Sequence, residues 1–505
     1  MERNHNTEDL SLPPVERPNG YPTGKKELIF AILTLITGLL LYNSMIYGGL
    51  NLGFAVFGGL SLIWAAGYLL LSGCRLTGYS GSLLGLSLLI LAGFARSDDG
   101  FVKFVLLCFV LVSENLGLCL LAGQNNRDPR GMTSLLDAPR TLFTLGFGKL
   151  PEAFRGLVQA FRRSGTVGKK GGAVLLGCCI AVPILAILIP LLVSADAAFD
   201  GLLRLLPEWD FSELYTTVVV GAFPVCVLYV RGVALKHTAR EVPPAKAPRK
   251  GISALTVNTV LVAVALVYGV YLVSQLAYFS GGFLGILPEG YTTAQYARRG
   301  FFEMAWLCAV NLGIMILAVG LVEKDERAPL STRLLCLFIG IVTLFLVATA
   351  GGKMFLYIGT YGLTRLRMLT GVIMLWIGIT TLIVGVWLFL PKLPYMKAVL
   401  LSALIIGGSV LWADVDTVVA RYNVSAYQTG RLETVDVYYL SRLGSGAVPY
   451  LRQLAADTDP TVAREAEELL QRRSEARTED FREWNYVNHV ADKVLSDPEE
   501  AADMP

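Results

Sequence analysis

What most constrains this chain is the recurrence of apolar runs of roughly 20 residues, each long enough to cross ~30 Å of hydrocarbon as a helix. They fall at 28–47, 50–72, 79–95, 101–122, 171–194, 214–235, 252–279, 300–322, 332–350, 368–390 and 395–412, about eleven by hydropathy. Inside lipid the backbone must satisfy its own hydrogen bonds, and runs this long and continuous do not suit the alternating strands of a barrel. The sequence therefore predicts an all-α, polytopic membrane protein with about 11 transmembrane helices and a small helical extramembrane tail. Composition agrees: only 16% of residues are charged, against ~25% in soluble chains.

The runs divide the chain. Residues 1–24 are polar and carry Pro13, Pro14, Pro18 and Pro22, the composition of a disordered cytoplasmic leader. Residues 25–123 hold an N-terminal four-helix transmembrane region, 124–170 a basic cytoplasmic loop and 171–413 the main transmembrane domain of seven spans. Residues 414–505 form an acidic tail whose leucine and alanine pattern reads as short helices, one of them able to pair as a helical hairpin. In the basic loop Phe143, Phe147, Leu150, Phe154, Leu157 and Phe161 recur at helical steps, with Pro151 suited to a first turn. That is an amphipathic helix, lying in the interface or docked on the inner ends of the spans.

Lysine and arginine set the orientation. The connections after 101–122 and after 214–235 are basic, whereas the one after 171–194 is acidic, with Asp196, Asp200, Glu208, Asp210 and Glu213 against Arg204. This alternation puts the N-terminus in the cytoplasm, and eleven spans put the tail outside. Arg298 and Arg299 break the rule by lying on the outer side.

That topology gathers polar residues at the outer edge: Asp196, Tyr296, Arg298, Arg299, Glu303, Lys353, Tyr357, Tyr361, Arg365 and Arg367. If one helix continues through them, Lys353, Tyr357, Tyr361 and Arg365 share a face at i, i+4 spacing, although Gly359 and Gly362 can break it. Charges so near hydrocarbon are costly unless paired or hydrated. Two readings stand: a network that locks helix ends, or a cationic site for a carboxylate, phosphate or lipid headgroup. Within the spans Glu114, Asn115 and Asn311 are the notable polar residues, and an intramembrane carboxylate raises the question of a proton relay.

Other chemistry has little support. The eight cysteines show no paired spacing beyond the adjacent Cys178 and Cys179, and histidine occurs only at His5, His237 and His489, outside the spans. No metal or cofactor is expected. There is no Walker-type glycine loop, HExxH pair or GxSxG elbow, so the reading leans away from an enzyme and assigns no catalytic residue. The expected partners are the lipid bilayer, a small anionic or lipid-like ligand and a protein meeting the tail; no nucleic acid is expected.

Four motifs carry a resemblance. They are Ser194-Ala195-Asp196-Ala197-Ala198-Phe199; Tyr296 to Glu303 leading to Asn311; Tyr361-Gly362-Leu363-Thr364-Arg365-Leu366-Arg367; and Asp414-Val415-Asp416 through Ala420-Arg421-Tyr422-Asn423. Over about residues 170–455 the chain is similar to the bacterial polytopic membrane proteins grouped as domain of unknown function 4173, related to family 4153. The resemblance implies a multi-pass protein of the bacterial inner membrane, transfers no catalytic residue, and marks the same outer-edge positions.

Two main functions remain. One is binding or transport of a small anionic or amphiphilic molecule through the outward-facing cationic and tyrosine cluster. The other is a regulatory or scaffold role acting through the tail and basic loops. A membrane-embedded transferase using Glu303 or Asp196 as base ranks behind both.

Overall fold

The computed structural model describes residues 20–129, 131–163, 223–238, 252–283, 301–322, 328–475 and 484–496, with a few isolated positions between 181 and 192. Among them the structure is helical, without named strands; one isolated bridge joins Ile252 and Val322. The helices used below are α1 (Lys25–Tyr47), α2 (Leu52–Leu71), α3 (Gly78–Gly93), α4 (Gly100–Leu121), α5 (Leu150–Arg163), α6 (Phe223–His237), α7 (Ala254–Phe283) and α8 (Phe301–Leu321). They continue with α9 (Leu330–Tyr361), α10 (Arg365–Phe389), α11 (Tyr395–Ala413), α12 (Val415–Gln428), α13 (Val437–Ser441), α14 (Val448–Ala455), α15 (Pro460–Glu475) and α16 (Tyr486–Ser496).

Among the described residues seven helices are long and apolar enough to cross a membrane, within α2, α4 and α7 to α11. The expected span at 79–95 appears as the shorter apolar helix α3, and the span at 171–194 lies outside the described residues but for isolated positions.

The chain forms two compact units. In the first, which takes residues up to Ile36 and Leu142–Thr238, residues 20–24, read from the sequence as the end of the leader, run along α5. The Tyr21 amide donates to the Glu152 carbonyl at 3.2 Å, and a side chain at Gly156 would collide with the Tyr21 carbonyl oxygen. The amphipathic pattern is divided: Phe143 lies in a π-helical turn over Arg140–Phe147, before α5 begins at Leu150. Helix α5 buries Ala153 and Val158, while Phe143 is exposed.

In the second unit α2, α3, α4 and α11 pack together through small residues, and α7 to α10 pack into a neighbouring bundle. Gly93 is one such point, since a Cβ there would stand 2.8 Å from Leu411. Buried polar side chains join α7, α8 and α9. The Tyr268 hydroxyl donates to Asn311 Oδ1 at 2.5 Å, and Asn311 Nδ2 donates to Thr343 Oγ1 at 2.9 Å.

The tail belongs to this same unit. Helices α14 and α15 pair, and α16 packs on α14. The Leu52 amide donates to the Trp484 carbonyl at 3.2 Å, and the Tyr486 amide to the Ala95 carbonyl at 2.8 Å. The tail is thus hydrogen-bonded to the ends of α2 and α3.

Candidate functional site: an arginine-lined cavity at the start of a membrane-crossing helix

Helix α9 runs 32 residues, about 48 Å at 1.5 Å per residue, so it outlasts the hydrocarbon. Lys353, Tyr357 and Tyr361 therefore share a helical face, but Arg365 is not among them. Gly362 ends α9 in the left-handed region, at φ 74°. A Cβ there would lie 2.5 Å from Asn423 Oδ1. The Asn423 amide instead closes on the backbone of Leu363, accepting from its N–H and donating to its carbonyl, both at 2.7 Å. Thr364 caps α10 by accepting the Arg367 amide at 3.4 Å. The expected continuous helix is corrected accordingly, and of its two candidate glycine breaks Gly362 makes the break.

The two arginines after this break do different things. Arg367 turns back on α9: its Nη1 donates to the carbonyls of Gly362 and Tyr361, and its guanidinium lies 4.1 Å from the Tyr357 ring centroid. A cation on the last carbonyls of a helix satisfies acceptors that have no partner within it. Arg365 meets carboxylates. Its Nε and Nη2 reach Asp416 Oδ1 and Oδ2 at 3.0 and 2.5 Å, and Nε lies 3.5 Å from Asp99 Oδ2.

These carboxylates are built in. Asp99 caps α4, accepting the Phe101 and Val102 amides at 3.0 Å. Asp416 accepts the Gly444 amide at 2.6 Å, and Asp98 the Ser445 amide at 3.2 Å. Asp414, a buried non-glycine residue at φ 56°, accepts from Ser97 Oγ and from Thr417 Oγ1, both at 2.7 Å. Burial pushes the Asp416 carboxyl above its ordinary range; Arg365 and the Gly444 amide oppose that rise without cancelling it. The buried Lys103 amine donates to Asn51 Oδ1 at 2.6 Å.

Beside this clasp opens a cavity of about 580 Å³ lined by Arg365, Arg442, Arg472 and Arg473, with Ser441, Gly444 and three leucines. Among the described residues no carboxylate lines it. Arg473 Nη2 donates to the Leu443 carbonyl at 3.1 Å, while its buried Nη1 has no hydrogen-bond partner among the described residues. Burial lowers the Arg473 pKa from its usual value, as expected of a cation taken out of water. The side chains of Arg442 and Arg472 make no hydrogen bond or ion pair among the described residues. Arginines gathered at one cavity are suited to holding an oxyanion by charge-assisted, forked hydrogen bonds.

Of the outer-edge residues predicted from sequence that are described, Arg365 alone lines this cavity. Asp196, Tyr296, Arg298 and Arg299 lie outside the described residues, and Glu303 starts α8 with its side chain likewise outside. Lys353, Tyr357 and Tyr361 sit along the last turns of α9. Glu114 and Asn115 are buried in α4, where Asn115 Nδ2 donates to the Leu111 carbonyl at 2.7 Å; Asn311 is part of the α7–α9 network. Sequence reasoning missed Arg442, Arg472 and Arg473. The Arg472-Arg473 doublet was visible, but nothing local tied it to Arg365. Among the described residues no group of His, Cys, Asp or Glu is arranged to hold a metal ion.

Fold and site together define a helical protein with several helices apolar enough to cross a membrane, in which tail helices and the start of one such helix line an open, arginine-rich cavity. The family described as Domain of unknown function (DUF4153) matches residues 28–454, and the chain belongs to that family. The match begins in the first apolar run, so it takes in the four spans that the motif resemblance left out. No curated protein and no solved structure matches the chain.

Proposed function

We propose that this protein binds a small anionic or amphiphilic molecule in the cavity of Arg365, Arg442, Arg472 and Arg473, as the binding step of transport or of retention at the membrane. One observation carries the reading: four arginines line one cavity, and no carboxylate lines it among the described residues. Cations brought together against their own repulsion are stabilised by an anion between them. In this reading the chain has about eleven spans in the bacterial inner membrane, with the N-terminus cytoplasmic and the cavity and tail outside. The finer kinship with family 4173 belongs to the same proposal and rests on the four motifs. Arg298, Arg299, Lys353 and the tyrosines remain candidate ligand-binding residues of this reading on the sequence alone.

The test is thermal unfolding of the full chain in detergent across a panel of anions, native protein against R442Q/R472Q. A ligand that binds only the folded state raises its midpoint in proportion to occupancy. The native protein should be stabilised by at least one anion class, and the variant should lose that response. Equal responses in both proteins would sink the proposal.

A second reading, a regulatory or scaffold role, is favoured by the exposed Tyr438, Trp484 and Tyr486 on the tail, since exposed aromatic residues are common interface anchors. Photocrosslinking from Tyr438 in native membranes checks it; recovery of no partner counts against it.

A further inference from the structure

Resting on the anion-binding reading, we infer that the group held in the cavity is a phosphomonoester, presented by a membrane lipid. Two observations carry this: the unmatched donors in the cavity and its height relative to the bilayer.

The donors exceed what a carboxylate can accept. Arg365 is already engaged by Asp416, yet Arg442 and Arg472 have no partner among the described residues, and Arg473 Nη1 is buried without one. A carboxylate brings one charge and two oxygens. A phosphomonoester brings about −1.5 to −2 charges at neutral pH and three acceptor oxygens, enough to take a fork from each of several guanidinium groups.

The height points to lipid. Arg365 is the first residue of α10, a helix of 25 residues. That is roughly 37 Å, exceeding the ~30 Å hydrocarbon core by only a few ångströms at each end. Arg365 therefore stands in the headgroup layer, where lipid phosphates lie. The next residue, Leu366, is 60% exposed, and Phe355 and Leu356 on α9 are exposed as well. Apolar surface facing outward beside a cationic cavity suits a ligand whose tails remain in the bilayer while its phosphate enters the protein.

The experiment is calorimetric titration of the full chain in detergent with three probes: short-chain dioctanoyl phosphatidic acid, inorganic phosphate and octanoate. Phosphatidic acid should bind at least about tenfold more tightly than either other probe, and R442Q/R472Q should weaken it by about tenfold or more. The variant R452Q, which removes the ion pair of the half-buried Arg452 with Glu467 outside the cavity, should leave binding unchanged. Inorganic phosphate binding as tightly as the lipid overturns the lipid source. Octanoate binding as tightly overturns the phosphate assignment while leaving the anion-binding reading intact. If no probe shows arginine-dependent binding, this inference falls, and the parallel anion panel decides whether the broader reading falls with it.

Discussion

Arg365 Nη2 lies 2.5 Å from Asp416 Oδ2, joining the first turn of a membrane-crossing helix to the first turn of the tail-side helix α12. Asp416 is 2% exposed and also holds the Gly444 amide, while Arg365 is 40% exposed and lines the cavity. A ligand bound as proposed would therefore compete with the buried carboxylates for the Arg365 guanidinium.

Truncating Asp416 removes a buried acceptor from both Arg365 and Gly444. D416A should cost about 1–3 kcal/mol, less than a fully buried pair because Arg365 is partly hydrated. A double-mutant cycle with R365A, read by thermal unfolding in detergent, should show coupling between the two positions; additive effects would count against the clasp.

The Asp416 carboxyl titrates above its unfolded value, so the folded state binds this proton more tightly than the unfolded state does. Its ionised form therefore costs stability at neutral pH, and the cost is relieved as pH falls through the folded pKa towards about 4. The native protein should gain stability relative to D416N over that descent. A stability difference that stays flat with pH contradicts the shift.

Gly362 combines φ 74° with a Cβ position overlapping the Asn423 amide. G362A should destabilise by about 1–3 kcal/mol, through backbone strain and loss of the clip on Leu363. Ala at Gly359, inside α9, should be neutral or slightly stabilising. The two thermal midpoints, measured side by side, check the assignment of the break.

Asn311 bridges Tyr268 and Thr343 in the membrane-crossing bundle. Side-chain hydrogen bonds between membrane helices contribute about 0.6–1.7 kcal/mol each, so N311A should cost about 1–3 kcal/mol. Unfolding by titration with a denaturing detergent reads this directly.

Arg442 and Arg472 hold no partner among the described residues, and both are exposed. Their replacement by glutamine should change stability by no more than about 0.5 kcal/mol. A larger loss would mean that the two arginines support the fold rather than a ligand.

How much was legible varied by element. The spans at 50–72, 101–122, 252–279, 300–322, 332–350, 368–390 and 395–412 were readable because hydropathy and length alone identify a lipid-crossing helix. The end of α9 was not. Gly359 and Gly362 look equivalent in sequence, and what separates them is the Asn423 side chain closing on Leu363 from α12, a partner remote along the chain. Asp99 could have been recognised as the cap of α4 from its place before an apolar run. Nothing local, however, marked it as a neighbour of Arg365.

The candidate site divides in the same way. By itself the sequence determined a chain of membrane-crossing helices, because in lipid each backbone amide must find its partner within its own helix, and that is a local property. It also determined that cations and tyrosines flank the connection after α9. Only the tertiary structure decided which charges meet: Arg365 with Asp416 and Asp99, Arg367 with the last carbonyls of α9, and Arg442, Arg472 and Arg473 around one cavity with Arg365. Ion pairs and cavities join residues far apart in the chain, and their energies depend on distance and burial, which no local pattern encodes.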